Sequence, residues 1–369
     1  MAIYTGNTKS KKKILVVDDS ALMRRVMCDI INSDERFQVA EQAYDGEQAY
    51  RLLKTNQYDG VVLDVNMPKM NGIQLLRMLQ KDRIAARIMM ASTDTREGAS
   101  VTLESLELGA IDFVEKPANI SYLKGDDFKA KFLDILQAVV TSRQTNLPRE
   151  SVISRQKQEE STRKLVDIVR KSHPVTGGTK IVALACSTGG PKALQSVIPR
   201  LPAQLAAPVL IVQHMPKGFT RSLAERLDSL SNVKVKEAEE GEIIENGTVY
   251  IAQGGLHMNV VLKGGKHAIH YTDEPPREGV KPCANYMYES LKNSNYSQIV
   301  CVVLTGMGAD GTKGIVNLET AKKVHVIAQD EATSTVYGMP KSIAATGLVN
   351  HVVGLDDVAQ EIIMDVGVK

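Results

Sequence analysis

The stretch Ala183-Leu184-Ala185-Cys186-Ser187-Thr188-Gly189-Gly190-Pro191-Lys192-Ala193-Leu194 sets the frame for the whole chain. It continues an apolar run that begins at Ile181 and leads into residues able to start a helix. A small-residue turn between a buried strand and a helix lifts one hydroxyl into the open, beside backbone N–H groups. A serine nucleophile and its oxyanion hole need that arrangement. Glycine-rich strand-to-helix turns also bind phosphate or simply turn the chain, so Ser187 alone leaves the choice open.

Outward from this turn, the second half alternates strand and helix. Ile181 to Leu184 reads as strand, Lys192 to Ile198 as helix, and Val209 to Val212 as strand running into Gln213-His214-Met215-Pro216. Phe219 to Leu230 is helical, with Leu223, Leu227 and Leu230 on one face. Val249 to Ala252 and Met258 to Leu262 read as strands joined through Gly254-Gly255. Ile299 to Leu304 is a buried strand closing on Thr305-Gly306-Met307-Gly308-Ala309-Asp310-Gly311, and Val324 to Ala328 is the last clear strand. Ser187, His214 and Asp310 each follow a buried strand, as nucleophile, base and orienting carboxylate should. Together they favour hydrolysis over a binding turn. The order Ser, His, Asp and the lack of Gly two residues before Ser187 set this sheet apart from the α/β-hydrolases.

The first 145 residues show the same alternation. Ile14 to Val17, Val39 to Ala43, Val61 to Leu63, Arg87 to Ala91 and Ile111 to Val114 are the strands. Helical patterns follow at Met23 to Ile30, Gly46 to Lys54 and Phe128 to Val140. The fold class is therefore α/β, two doubly wound parallel-sheet domains. In such sheets functional residues gather at the carboxyl ends of the strands, where Asp18, Asp19, Asp64, Ser92 and Lys116 all fall. Clustered carboxylates repel unless a cation sits among them, and hard oxygen ligands suit Mg²⁺.

Composition narrows the classes. The chain has 369 residues, 43% hydrophobic and 24% charged, with a net charge of +2, which is ordinary for globular protein and speaks against a nucleic-acid partner. Cys28, Cys186, Cys283 and Cys301 form no CxxC pair, so reduced thiols and a cytoplasmic location are expected. Neither a signal peptide nor a membrane-spanning run is legible. Three segments follow: a domain over 12–140, a polar linker over 141–178 rich in Pro, Gly and mixed charge, and a domain over 179–369. No internal repeat is present, and His173 beside Pro174 is a loop residue of that linker.

Residues 12–140 resemble a two-component receiver domain. The likeness rests on Val16-Val17-Asp18-Asp19-Ser20, Leu63-Asp64-Val65-Asn66-Met67-Pro68-Lys69-Met70-Asn71-Gly72 and Glu115-Lys116-Pro117. It implies Asp64 as phosphoacceptor and Asp18, Asp19 and Asp64 as the Mg²⁺ site. It also implies Ser92, Lys116 and Phe113 as the residues that sense the phosphoryl group. Residues 179–367 resemble the catalytic domain of the bacterial chemotaxis methylesterases, which carry a receiver in front. The motifs are Cys186-Ser187-Thr188-Gly189-Gly190-Pro191, Val212-Gln213-His214-Met215-Pro216-Lys217-Gly218-Phe219-Thr220, Leu304 to Gly311 and Ala328-Gln329-Asp330-Glu331.

That second resemblance implies hydrolysis of glutamyl methyl esters on chemoreceptors, with release of methanol, and deamidation of certain receptor glutamines. Ser187 would be nucleophile, His214 base and Asp310 its partner, with Met307 and Thr188 as oxyanion candidates. No cofactor is expected in the esterase domain. The partners implied are methyl-accepting chemoreceptors as substrate and a chemotaxis histidine kinase as phosphodonor, with the protein peripheral to receptor arrays; oligomeric state is not legible in the sequence, and a monomer is the expectation. Phosphorylation of Asp64 is expected to shift Ser92 and Phe113 and open access to the cleft. Two departures from the family pattern stand out: Ala185-Cys186 before the serine, and Lys281-Pro282-Cys283-Ala284-Asn285, expected to shape the substrate cleft. His257 is expected at the cleft rim. The rivals are a phosphorylation-controlled transcription factor, which lacks a helix-turn-helix pattern or basic stripe here, and a catalytically silent scaffold.

Overall fold

The computed structural model describes residues 10–93, 96–117, 125–143, 146, 166 and 179–369. The chain divides into two compact units, Met1–Arg149 and Glu150–Lys369, each considered by itself. The first unit is a five-stranded parallel sheet of β1 (Lys12–Val17), β2 (Phe37–Ala43), β3 (Gly60–Asp64), β4 (Ile88–Thr93) and β5 (Asp112–Lys116), in the order β2-β1-β3-β4-β5. Its central strands β1 (from Ile14 on), β3 and β4 are apolar and buried on both faces, as a parallel sheet between helical layers requires. Ile14, Val16, Val62, Met89 and Val114 pack with Phe132, Leu136 and Val139 of the helix Asp126–Thr141 in one core.

Because β1 lies between β2 and β3, the chain leaves it in opposite directions on the two sides. The crevice at that switch is where ligands bind in open α/β sheets. Val17 pairs with Leu63, so Asp18 and Asp64 emerge side by side.

The second unit repeats the logic with seven parallel strands. They are β6 (Lys180–Cys186), β7 (Val209–Gln213), β8 (Lys234–Glu237), β9 (Thr248–Ile251), β12 (Gln298–Val303), β13 (Val324–Gln329) and β14 (His351–Val353). Their order is β14-β13-β12-β6-β7-β9-β8. The switch point falls at β6, flanked by β7 on one side and β12 on the other. A separate antiparallel hairpin, β10 (His257–Lys263) with β11 (Lys266–Thr272), stands outside this sheet.

The structure adds to the strands legible in the sequence. The run from Met258 to Leu262 follows Val249–Ala252 through Gly254-Gly255, as expected, and is half of that hairpin. Beyond Val324–Gln329, the last strand that is clear in the sequence, the short strand His351–Val353 continues the sheet. That edge strand and the opposite edge, Lys234–Glu237, went unread because edges lack the double burial that marks central strands.

Asn146, placed by composition in the solvated joint, is buried and fastened to the first unit. Its side chain accepts from Ala86 N at 2.9 Å and donates to the Ile84 carbonyl at 3.1 Å. Most of the expected linker, 141–178, lies outside the described residues, His173 among it. Among the described residues no helix is long and apolar enough to cross a membrane.

Candidate active site

In the second unit the turn after β6 is built to hold Ser187 up. The N–H of Gly190 donates to the Ser187 carbonyl at 2.7 Å, and Ser187 N donates to Thr305 O at 3.0 Å, tying the turn to the loop after β12. Gly189 has φ +77, and a side chain there would drive into Thr335, so the tight turn requires glycine. Gln213, at the end of β7, is buried and braces the turn from the other side. Its amide donates to the Ser187 carbonyl at 3.1 Å, and its Oε1 accepts from the Cys186 thiol at 3.0 Å. Cys186 is therefore a buried strut whose thiol pKa burial pushes far up.

His214 follows Gln213 directly, and its N–H donates to the Cys186 carbonyl at 3.2 Å, which sets it beside Ser187. Its ring Nε2 meets Asp310 Oδ2 at 2.7 Å, with both side chains almost out of solvent. Ser187 stands at the neighbouring strand end, half-buried, and no hydrogen bond joins its Oγ to His214 among the described residues. Met307 is exposed in the loop between Gly306 and Gly308. That loop is anchored by Thr305, whose hydroxyl donates to Thr188 O at 2.9 Å, and by the N–H groups of Gly338 and Met339, which donate to Gly306 O. Gly306 sits so close that a Cβ there would come within 2.9 Å of Ser187 Cβ.

Asp310 is richly supplied with hydrogen-bond donors. Besides His214 it accepts from Ala284 N at 2.6 Å, Asn285 N at 3.0 Å, Gly311 N at 2.8 Å and the Cys283 thiol at 3.0 Å. Burial alone pushes this carboxyl up, but the hydrogen bonds from His214, Cys283 and Ala284 outweigh it and carry the pKa down to about 2. It is a carboxylate at any ordinary pH and can only accept. The proton of neutral His214 therefore sits on Nε2, which leaves Nδ1 as the basic nitrogen.

Within the segment 281–285, Cys283, Ala284 and Asn285 form the cradle of Asp310. His257, expected at the rim, is wholly buried behind that cradle. Its Nδ1 accepts from Cys283 N at 3.2 Å and its Nε2 faces Pro275 O at 3.2 Å, while burial holds its pKa below the usual value. Sequence reasoning missed these contacts because residues 257, 281–285 and 310 meet only through the fold.

The first unit brings Asp18, Asp19 and Asp64 together, one oxygen of each lying within 4.8 Å of the others. Lys116 Nζ contacts Asp18 Oδ2 and Asp64 Oδ1, both at 2.6 Å. Burial raises Asp64 to about 6; Lys116 opposes that rise and Asp18 reinforces it. One ammonium does not offset this much negative charge, and the donor set suits a hard divalent cation. Arg24, which the sequence did not flag, holds the loop through the carbonyls of Asp18 (2.7 Å) and Asp19 (3.1 Å). Ser92 and Phe113 are both buried. The Ser92 hydroxyl donates to the Gly98 carbonyl at 3.3 Å rather than to Asp64.

Residues 182–362 match the CheB methylesterase family, and residues 14–125 match the response regulator receiver domain. A protein-glutamate methylesterase/protein-glutamine glutaminase of Pyrococcus abyssi is 42% identical over 361 residues, 96% of this chain and 94% of that protein. The chain belongs to that family. The Bacillus subtilis protein of the same name is 39% identical over 95% of this chain and 97% of its own length. Among solved structures, the Thermotoga maritima CheB methylesterase catalytic domain is 40% identical, with a TM-score of 0.49. It covers 51% of this chain and 98% of that one. As a family member, the chain joins a flavodoxin-like receiver to a parallel-sheet α/β catalytic domain.

Proposed function

We propose that this chain hydrolyses glutamyl methyl esters on the cytoplasmic helices of chemoreceptors and deamidates selected receptor glutamines, under control of phosphorylation at Asp64. The observation that carries the reading is the buried His214–Asp310 pair beside Ser187 at the switch point of the second sheet. Curated relatives over nearly the whole length bear the names of both activities.

Ser187 attacks the ester carbonyl while His214 Nδ1 takes its proton. The C–O bond breaks and methanol leaves with that proton, giving a glutamyl-enzyme. Water then attacks by the same path, freeing the receptor glutamate and restoring the serine; with glutamine as substrate, ammonia leaves instead. Asp310 holds the imidazole in one tautomer and supports its charge. The N–H of Met307, with Thr188 beside the nucleophile, faces the developing oxyanion, a role whose loss costs about 10²- to 10³-fold in rate.

In the receiver, Asp18, Asp19 and Asp64 would hold Mg²⁺, which neutralises charge around the phosphoryl group when bound. Asp64 takes the phosphoryl group from a chemotaxis histidine kinase or a small phosphodonor. Lys116 then exchanges its carboxylate partner for phosphoryl oxygens, and Ser92 leaves Gly98 for the same group as Phe113 shifts.

The test is methanol release from methylated chemoreceptor membranes, with and without Mg²⁺ and acetyl phosphate, using Ser187→Ala as control. Release that needs Ser187 and rises with phosphodonor is the expected result. No release from folded protein on a validated substrate would leave a scaffold.

A further inference from the structure

The cradle of Asp310 contains one donor that is a side chain rather than backbone, and it is a thiol. Cys283 is completely buried, and its Sγ lies 3.0 Å from Asp310 Oδ1, opposite the oxygen that meets His214. We infer that Cys283 is a positioning residue of the hydrolytic site, drawing charge from Asp310 and so setting how readily His214 accepts the serine proton. This rests on the triad reading above and adds to it the residue that tunes the triad.

The chemistry of the thiol fits that role. Burial and the charge of Asp310 push its pKa up to about 12, so it keeps its proton and is available as a donor. It is neither a thiolate nucleophile nor an accessible redox group.

The backbone around it is fixed independently of the thiol. Cys283 N donates to His257 Nδ1 at 3.2 Å, His257 is held at Pro275 O, and its ring lies tilted against Tyr286 with centroids 4.4 Å apart. Ala284 N and Asn285 N reach Asp310 directly, while Asn285 Oδ1 accepts from Gly311 N (3.2 Å) and Gly314 N (2.6 Å). Replacing the thiol therefore changes one hydrogen bond on the carboxylate and leaves its seat in place.

Other titratable groups face this cluster: Lys281, paired with Asp273 at 2.6 Å, and Glu274 act on His257. His214 comes from the end of β7 and His257 from β10. Tyr288, on the helix Ala284–Ser290, is held neutral by burial and donates its hydroxyl to the carbonyls of Ala183 and Val302. Arg277 carries its charge to Glu289 at 2.8 Å and lies over the Tyr286 ring. None of these donates to Asp310 Oδ1, so the pull on that oxygen is shared by Cys283 with backbone N–H groups.

A hydrogen bond to a carboxylate lowers the negative charge it offers to its other partner. A stronger donor at 283 weakens the support Asp310 gives to protonated His214, and no donor strengthens it. The experiment is the pH profile of kcat/KM for Cys283→Ser, wild type and Cys283→Ala in the full chain, with Ser187→Ala in the same assay. The midpoint of the acid limb should fall lowest for Cys283→Ser, higher for wild type and highest for Cys283→Ala, spanning about half a pH unit or more. NMR titration of the His214 imidazole should give the same order without relying on turnover. If Cys283→Ala does not fold, the Cys283→Ser shift against wild type carries the test. Coincident midpoints, or a shift of both variants in one direction, would overturn the inference even with activity intact. Turnover that survives Ser187→Ala would instead bring down the triad reading beneath it.

Discussion

Asp64 and Asp310 are both buried aspartates at the carboxyl ends of parallel sheets, and both have a nitrogen base within hydrogen-bond reach. Asp64 is driven up to about 6, whereas Asp310 is driven down to about 2. Burial pushes each the same way, so the difference lies in the company. Asp310 collects five donors and no second carboxylate. Asp64 shares one ammonium with Asp18 and stands near Asp19. The second site is complete as folded and needs its carboxylate fixed in place. The first carries unsatisfied negative charge, which prepares it for a cation and a phosphoryl group. On the proposed function, the catalytic carboxylate is the preorganised one and the switch carboxylate the one kept under tension.

The sharpest way to break this contrast is to neutralise each carboxylate in turn. In Asp310→Asn the new amide presents its own N–H groups to a ring of donors, and the tautomer of His214 is no longer dictated. Methanol release should fall by about 10⁴-fold, measured as kcat at saturating receptor. Asp64→Asn removes charge from a crowded site. It should leave the first unit at least as stable at pH 7.5 while abolishing the increase caused by acetyl phosphate. Equal losses of basal turnover in the two variants would mean that the sites do not differ as argued.

A smaller effect is expected from Lys116→Met. The substitution leaves Asp18 and Asp64 facing each other without the ammonium that bonds both. Loss of one partner from a buried ion pair costs about 3–5 kcal/mol. Urea unfolding of the full chain, with hydrogen exchange at β1 and β6 amides to separate the units, should place that loss in the first unit alone. Mg²⁺ should restore part of it.

Much of this was legible in the sequence because it depended on local pattern. Apolar runs gave the central strands, and the residues that ended them, Asp18, Asp64, Ser187 and His214, were the ones the sheets bring to their switch points. The polar edge strands Lys234–Glu237 and His351–Val353 were not legible, since they lack that burial. Nor was the cradle of Asp310: His257 and Cys283 touch across 26 residues of chain, and Cys283 and Asp310 across 27. Asn146 was misread for the opposite reason. It is a polar residue in polar company, yet its amide serves backbone groups of Ile84 and Ala86 in the connection that leads into β4.

The finest resolution of the comparison comes from pH. Asp64 holds its proton up to about 6 in the folded state, while the unfolded chain releases it near 4. Between those values the folded protein binds more protons than the unfolded one, so stability falls as pH rises, by about 1–3 kcal/mol. Asp310 has the opposite sign: with a folded pKa of about 2, its contribution is fully present above about pH 4 and is lost as pH falls toward 2. Hydrogen exchange in the full chain should therefore show β1 amides losing protection from pH 4 to 6, after correction for intrinsic rates, while β6 amides do not. Saturating Mg²⁺ favours the ionised form of Asp64 and should flatten the β1 slope without touching β6. A β1 slope unchanged by Mg²⁺ would mean that the raised carboxyl and the cation site are not the same group.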